Sequence, residues 1–127
     1  MDAKKILKGS GYRIKKYETV TETDTFRHTL VKREYLEIGS YVLIKDESLF
    51  HDCNPIYGFN SKMCNACNKV FKIIDIIKDE RYRNVYELKF EKPEDMLQKF
   101  FEKHVQGYAW NNEMVIPIEK YCRQVRI

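Results

Sequence analysis

Residues Lys69 to Phe90 read KVFKIIDIIKDERYRNVYELKF. Val70, Phe71, Ile73, Ile74, Ile76 and Ile77 give the first ten positions the pattern of a buried strand rich in β-branched side chains. Asp79-Glu80-Arg81 is a charged turn. From Asn84 to Phe90, Val85, Glu87 and Lys89 alternate with Tyr86, Leu88 and Phe90, the period of two that marks the second arm of a β-hairpin. This hairpin sets the expectation of a mainly β (α+β) fold.

Toward the N-terminus, Ile38-Gly39-Ser40 leads into a second apolar strand, Tyr41-Val42-Leu43-Ile44-Lys45. A long loop over residues 46–68 separates it from the hairpin and carries Pro55 and Tyr57-Gly58. Further upstream, residues 12–20 and 25–33 are expected to pair as a hairpin through Glu22-Thr23-Asp24. Ahead of them, Asp2 caps a short helix with Ile6 and Leu7 on one side, ended by Gly9.

Toward the C-terminus the period changes. Pro93 stands where a helix starts, with Glu94 and Asp95 in its first turn. Met96, Leu97, Phe100, Phe101 and Val105 follow at helical spacing, and Lys99, Lys103 and His104 suit the C-terminal end of the dipole. A helix is therefore predicted over 93–105, its apolar stripe docked on its own domain. Tyr108-Ala109-Trp110 reads as a short strand, Asn111-Asn112 as a turn, and Glu113 to Pro117 as extended chain. Residues 118–127 continue as strand or arm.

Composition narrows the function classes. The chain has 127 residues, enough for one domain with its own core. With 43% hydrophobic and 33% charged residues it is neither a disordered tail nor a membrane protein. No apolar run approaches the ~20 residues a bilayer span needs. The start, MDAKKILKGS, has no h-region and no cleavage site, so a cytoplasmic protein is expected. A net charge of +4 excludes an acidic DNA mimic.

That charge is unevenly spread. Residues 1–16 hold Lys4, Lys5, Lys8, Arg13, Lys15 and Lys16 against Asp2 alone, a net +5. Residues 17–33 are neutral, and residues 34–127 carry a net −1. The basic surplus would give a salt-dependent affinity for phosphates, with Tyr12 and Tyr17 interleaved as stacking rings. Nucleic-acid binding through residues 1–16 is thus one reading; a solvated charged terminus is the other. The same division suggests an N-terminal extension, 1–33, ahead of a near-neutral domain, 34–127.

The cysteines are Cys53, Cys64, Cys67 and Cys122, read as reduced thiols. His51, Cys53, Cys64 and Cys67 form H-x-C-x10-C-x2-C, a set of four zinc ligands by type, and a small zinc-stabilised module is a further alternative. The competing reading makes Cys64 and Cys67 small half-buried residues entering a strand, with no cofactor. No catalytic constellation is visible. His28, His51 and His104 lie in different segments, nothing positions a Cys53–His104 pair, and G-x-S-x-G, P-loop and H-E-x-x-H patterns are missing. A non-enzymatic role is expected.

Six short motifs stand in order along the chain: Ile38-Gly39-Ser40-Tyr41-Val42, Tyr57-Gly58, Met63, Cys67-Asn68-Lys69, the Ile73 to Tyr86-containing hairpin, and Trp110-Asn111-Asn112-Glu113-Met114. Over about residues 34–119 this series resembles a family of small SH3-like β-barrel proteins encoded by bacteriophages and prophages. The resemblance implies an SH3-like barrel with an inserted helix at 93–105, and Cys67 as a core residue. It also implies an aromatic groove of Tyr57, Phe59, Tyr108 and Trp110 that binds a host protein or nucleoprotein complex. In that setting a phage-type accessory protein would act in the cytoplasm of a bacterial host, inhibiting a defence system in an anti-CRISPR-like manner. Trp110 has a second reading, as a core anchor. The family's Gly between Cys and Lys is Asn68 here, a residue that also tolerates left-handed backbone. Cys64 is not part of the family pattern.

Overall fold

The computed structural model describes residues 3–15, 21–23, 29–46 and 61–120. Their order is α1 (Ala3–Leu7), β1 (Tyr12–Ile14), β2 (Thr21–Thr23), β3 (Thr29–Val31), β4 (Tyr41–Ile44), β5 (Val70–Lys78), β6 (Tyr86–Glu91), α2 (Gln98–His104), β7 (Trp110–Asn111) and β8 (Val115–Lys120). Short 3-10 turns sit at Arg33–Tyr35 and Met63–Ala66. Six strands form one antiparallel sheet in the order β1-β8-β4-β5-β6-β7, and β2 pairs with β3 separately. The fold is mainly β, as the 69–90 pattern predicts. The sheet is not closed: β1 and β7, three and two residues long, form its edges.

The hairpin of β5 and β6 is the longest pairing. Its register shifts between Ile73 and Asp75, so Ile74 is a bulged residue and stands out in solvent. The extra residue resets the alternation. Ile73 and Ile76, three apart, therefore both reach the same core. Asp79 closes the turn by accepting hydrogen bonds from the Arg81 backbone N–H at 2.9 Å and the Arg81 guanidinium at 3.2 Å.

Strand alternation gives the sheet two apolar faces. The inner face carries Val42, Ile44, Phe71, Ile73, Leu88, Phe90 and Val115, packed with Trp110 and Met114 and closed by Phe101 and Val105 of α2. The outer face carries Leu43 and Ile118, covered by Leu7 of α1, with Tyr12, Ile14, Tyr41, Val70 and Ile116 around them. Pro117 sits inside β8 without breaking the β4 pairing. Its carbonyl accepts from the Lys15 N–H at 3.0 Å, so its ring nitrogen also faces the β1 side.

Two asparagines hold the connections. Asn68 adopts a φ of 64°, the left-handed geometry expected of it. Its N–H donates to the Ile44 carbonyl and its amide to Asp46 Oδ2, both at 2.9 Å, closing the neck of the 46–68 loop. Asn112 Nδ2 donates to the carbonyls of Val31 at 2.8 Å and Asn84 at 3.1 Å, while its Oδ1 accepts from the Tyr86 N–H. It thereby fastens the β2–β3 hairpin and the β5–β6 turn to the end of β7.

Two expected elements differ. Among the described residues, 12–14 do not pair with 29–33. Tyr12, Arg13 and Ile14 pair with Lys120, Glu119 and Ile118 of β8, and the local hairpin is made by 21–23 with 29–31. Tyr12 and Ile14 gain the apolar cluster around Ile118 by this choice. The helix expected over 93–105 begins only at Gln98. The Lys92 ammonium donates to the carbonyls of Pro93 at 3.1 Å and Met96 at 2.8 Å, stabilising a separate turn, and Leu97 is extended with ψ 138°. The docking of the stripe holds for Phe101 and Val105, whereas Leu97 is 76% exposed. Among the described residues no helix is long and apolar enough to cross a membrane.

Candidate functional site

The register of the sheet sets a row of side chains across the outer face, beyond the part that α1 covers. Tyr12 lies opposite Lys120. Tyr41 lies opposite both Ile118 and Lys72, and Lys72 opposite Glu91. The Tyr12 and Tyr41 rings meet at 5.1 Å between centroids, tilted by 51°. The Lys120 ammonium lies 5.1 Å from the Tyr41 ring centre, within cation–π range.

This row is the floor of a groove of about 1080 Å³. One wall starts at Ser10. The opposite wall is the segment Glu91–Leu97 together with Phe100. Ser10 is fixed by its hydroxyl, which donates to the Leu7 carbonyl at 2.6 Å at the end of α1. The turn at Pro93–Met96 that displaces the start of α2 is what builds the second wall.

Both signs of charge line the groove. Lys72 faces Glu91 at 3.9 Å, Lys92 is held by two backbone carbonyls, and Lys69 lies over the Phe100 ring at 5.6 Å. Glu94 and Asp95 are exposed on the wall. Burial pushes the Tyr12 hydroxyl above its ordinary pKa, and Tyr41 and Asp95 push in the same direction against the pull of Lys120. Tyr12 therefore stays a neutral donor and acceptor at physiological pH.

The expected residues divide as follows. Trp110 is 1% exposed, packs on Phe90 at 5.8 Å and donates its indole N–H to the Val105 carbonyl at 3.1 Å. It is a core anchor, and its expected place in a surface groove is corrected. Tyr108 is half-buried and packs against the inner core. Tyr57, Phe59, His51, Cys53 and Lys16 lie outside the described residues. Cys64 lies in the 3-10 turn at Met63–Ala66 and Cys67 just after it, both half-buried, and Cys67 packs against the inner core. Among the described residues no group of three or more His, Cys, Asp and Glu could hold a metal ion.

The basic segment is folded onto the sheet. Lys4, Lys5 and Lys8 are exposed on and just after α1. Arg13 is paired with Glu119 at 2.8 Å, and Lys15 is half-buried. His104 is engaged in structure: its Nδ1 lies 2.9 Å from the Lys62 carbonyl, tying α2 to the turn that carries Cys64. Tyr41, Lys72, Lys120, Glu94 and Asp95 had no local signal. They come from four segments of the chain, and only the strand register brings them together.

Comparison with protein-family models, with curated proteins and with solved structures finds no match to this chain.

Proposed function

We propose that this protein is a non-enzymatic binding module that holds a segment of a partner polypeptide in the outer-face groove. One observation carries the reading: a wide groove with two tyrosines on its floor and both signs of charge on its walls. Tyrosine supplies contact area with few rotatable bonds and a polar tip, which suits protein recognition. Mixed charge suits a polypeptide better than a phosphate backbone, which favours a surface of one sign. The SH3-like arrangement and the phage-type accessory role belong to the same proposal. The resemblance over 34–119 supports a host complex as the partner, with inhibition of a bacterial defence system as the form such binding takes.

Nucleic acid is the second reading. The row Tyr12, Lys120, Tyr41, Lys72, with exposed Lys4, Lys5 and Lys8 on the same side of the chain, favours it. The carboxylates of Glu91, Glu94 and Asp95 weigh against it.

Selection of a random-peptide display library on the purified protein tests the proposal. Binding peptides are expected, and their affinity should fall about tenfold for Tyr41→Ala and for Leu97→Asp, the latter exposed enough to leave folding intact. Failure to enrich any peptide, together with a salt-sensitive shift of single-stranded oligonucleotides, would move the assignment to nucleic acid.

A further inference from the structure

We propose that Cys64 and Cys67 are a redox-active dithiol that closes to a disulfide across one 3-10 turn. The inference stands apart from the groove and from peptide binding. Both side chains are thiols in this structure, and the turn at Met63–Ala66 is what pairs them. Backbone bonds between residues three apart run through it: the Asn65 N–H donates to the Lys62 carbonyl at 3.4 Å, Cys67 to Cys64 at 3.1 Å and Lys69 to Ala66 at 3.3 Å. A 3-10 turn stacks side chains three residues apart, with a rise of about 6 Å per turn. That is a Cα separation a disulfide spans. Cys67 has φ −58°, within the 3-10 range, so its Cβ continues the turn; only its ψ of 144° leads the chain away beyond it.

Burial shows the same period. Met63 and Ala66, three apart, are 1% and 0% exposed and fasten the turn to the inner core. Cys64 and Cys67 form the neighbouring ridge, half-buried and within reach of a small reagent. His104 Nδ1 lies 2.9 Å from the Lys62 carbonyl and 3.3 Å from Asn65 Nδ2, and Asn68 is tied to Ile44 and Asp46. The turn is thus held on both sides before any bond forms.

The oxidant is a low-molecular-weight disulfide. One protein thiolate attacks a sulfur of the reagent, forms a mixed disulfide and releases the first small thiol. The second thiolate attacks the protein-bound sulfur, closes the Cys64–Cys67 bond and releases the other. The reagent gains the two electrons and two protons that the protein pair gives up. The bond fixes the joint between the neck of the 46–68 loop and α2.

Mass spectrometry of tryptic peptides from the full chain, equilibrated in glutathione buffers, tests this. Trypsin cuts after Lys62 and Lys69, so both cysteines travel on one peptide, residues 63–69. In oxidising buffer that peptide is expected to become lighter by two hydrogens and to lose its alkylation by iodoacetamide. The change should come at a several-fold lower proportion of glutathione disulfide in the folded protein than in the chain unfolded by guanidinium. Cys53→Ser/Cys122→Ser, which leaves only the proposed pair, should oxidise as wild type does. A peptide that stays doubly alkylated throughout, or cross-links from Cys64 or Cys67 to Cys53 or Cys122, would overturn the proposal. So would equal oxidation of the folded and unfolded chains, since the turn would then contribute nothing.

Discussion

The two faces of the sheet are built from the same strands and end differently. On the inner face, Val42, Ile44, Phe71, Ile73, Leu88, Phe90 and Val115 meet Trp110, Met114 and α2, and the residues at its centre are buried. On the outer face, among the described residues, only Leu7, Leu43 and Ile118 are buried, and beyond them the surface becomes Tyr12, Tyr41, Lys72 and Lys120 around an open groove. Alternation along a strand gives both faces equal opportunity to become core. What differs is the cover. The inner face receives a helix, a tryptophan and the β7–β8 turn, while the outer face receives a five-residue helix and then nothing among the described residues. One face is committed to stability; the other leaves polar and aromatic groups where a partner can reach them.

Substitutions that strike the faces separately can break this contrast. The largest effect is expected for Trp110→Ala, which removes the ring packed on Phe90 and the hydrogen bond to Val105. It should cost about 3–5 kcal/mol in denaturant unfolding, a large share of a small domain's stability. Leu7→Ala should cost less, about 2–3 kcal/mol, because α1 has a single buried leucine over a smaller cluster. Equal losses for the two would show that the outer face is as much a core as the inner one.

A smaller effect concerns pH. The folded Tyr12 holds its proton above the ordinary value of 10.0, so the fold binds that proton more tightly than the unfolded chain does. The contribution is intact below pH 10.0 and is lost as pH rises through the folded pKa. Tyr12→Phe should leave neutral-pH stability nearly unchanged and flatten the alkaline loss. An unaltered alkaline profile would mean that Tyr12 does not feel the outer face as described.

The inner face was largely legible in the sequence and the outer face was not, for a physical reason. The 69–90 hairpin, the 41–45 strand and the left-handed Asn68 follow from local pattern, because alternation and turn chemistry are properties of neighbouring residues. The Ile74 bulge was hidden, since an apolar run such as Ile73-Ile74 is silent about which residue is the extra one. The helix start moved from Pro93 to Gln98 because the Lys92 ammonium, donating to the nearby Pro93 and Met96 carbonyls, stabilises a turn that helix propensity does not count. The pairing of Tyr12 with Lys120 links residues at opposite ends of the chain, and the groove depends on it. Trp110 was weighed both as groove and as anchor, and its single donor, satisfied by Val105, decides for the anchor.

The proposal places the binding surface on the outer face of the sheet. Amide chemical-shift mapping of the isotope-labelled protein with a display-selected peptide tests it most directly. Saturable shifts are expected at Tyr12, Tyr41, Lys72 and Glu91–Leu97, with Val42, Phe90 and Val115 unmoved. Shifts centred instead on β6–β7 or on the exposed lysines of α1, with the groove silent, would contradict it.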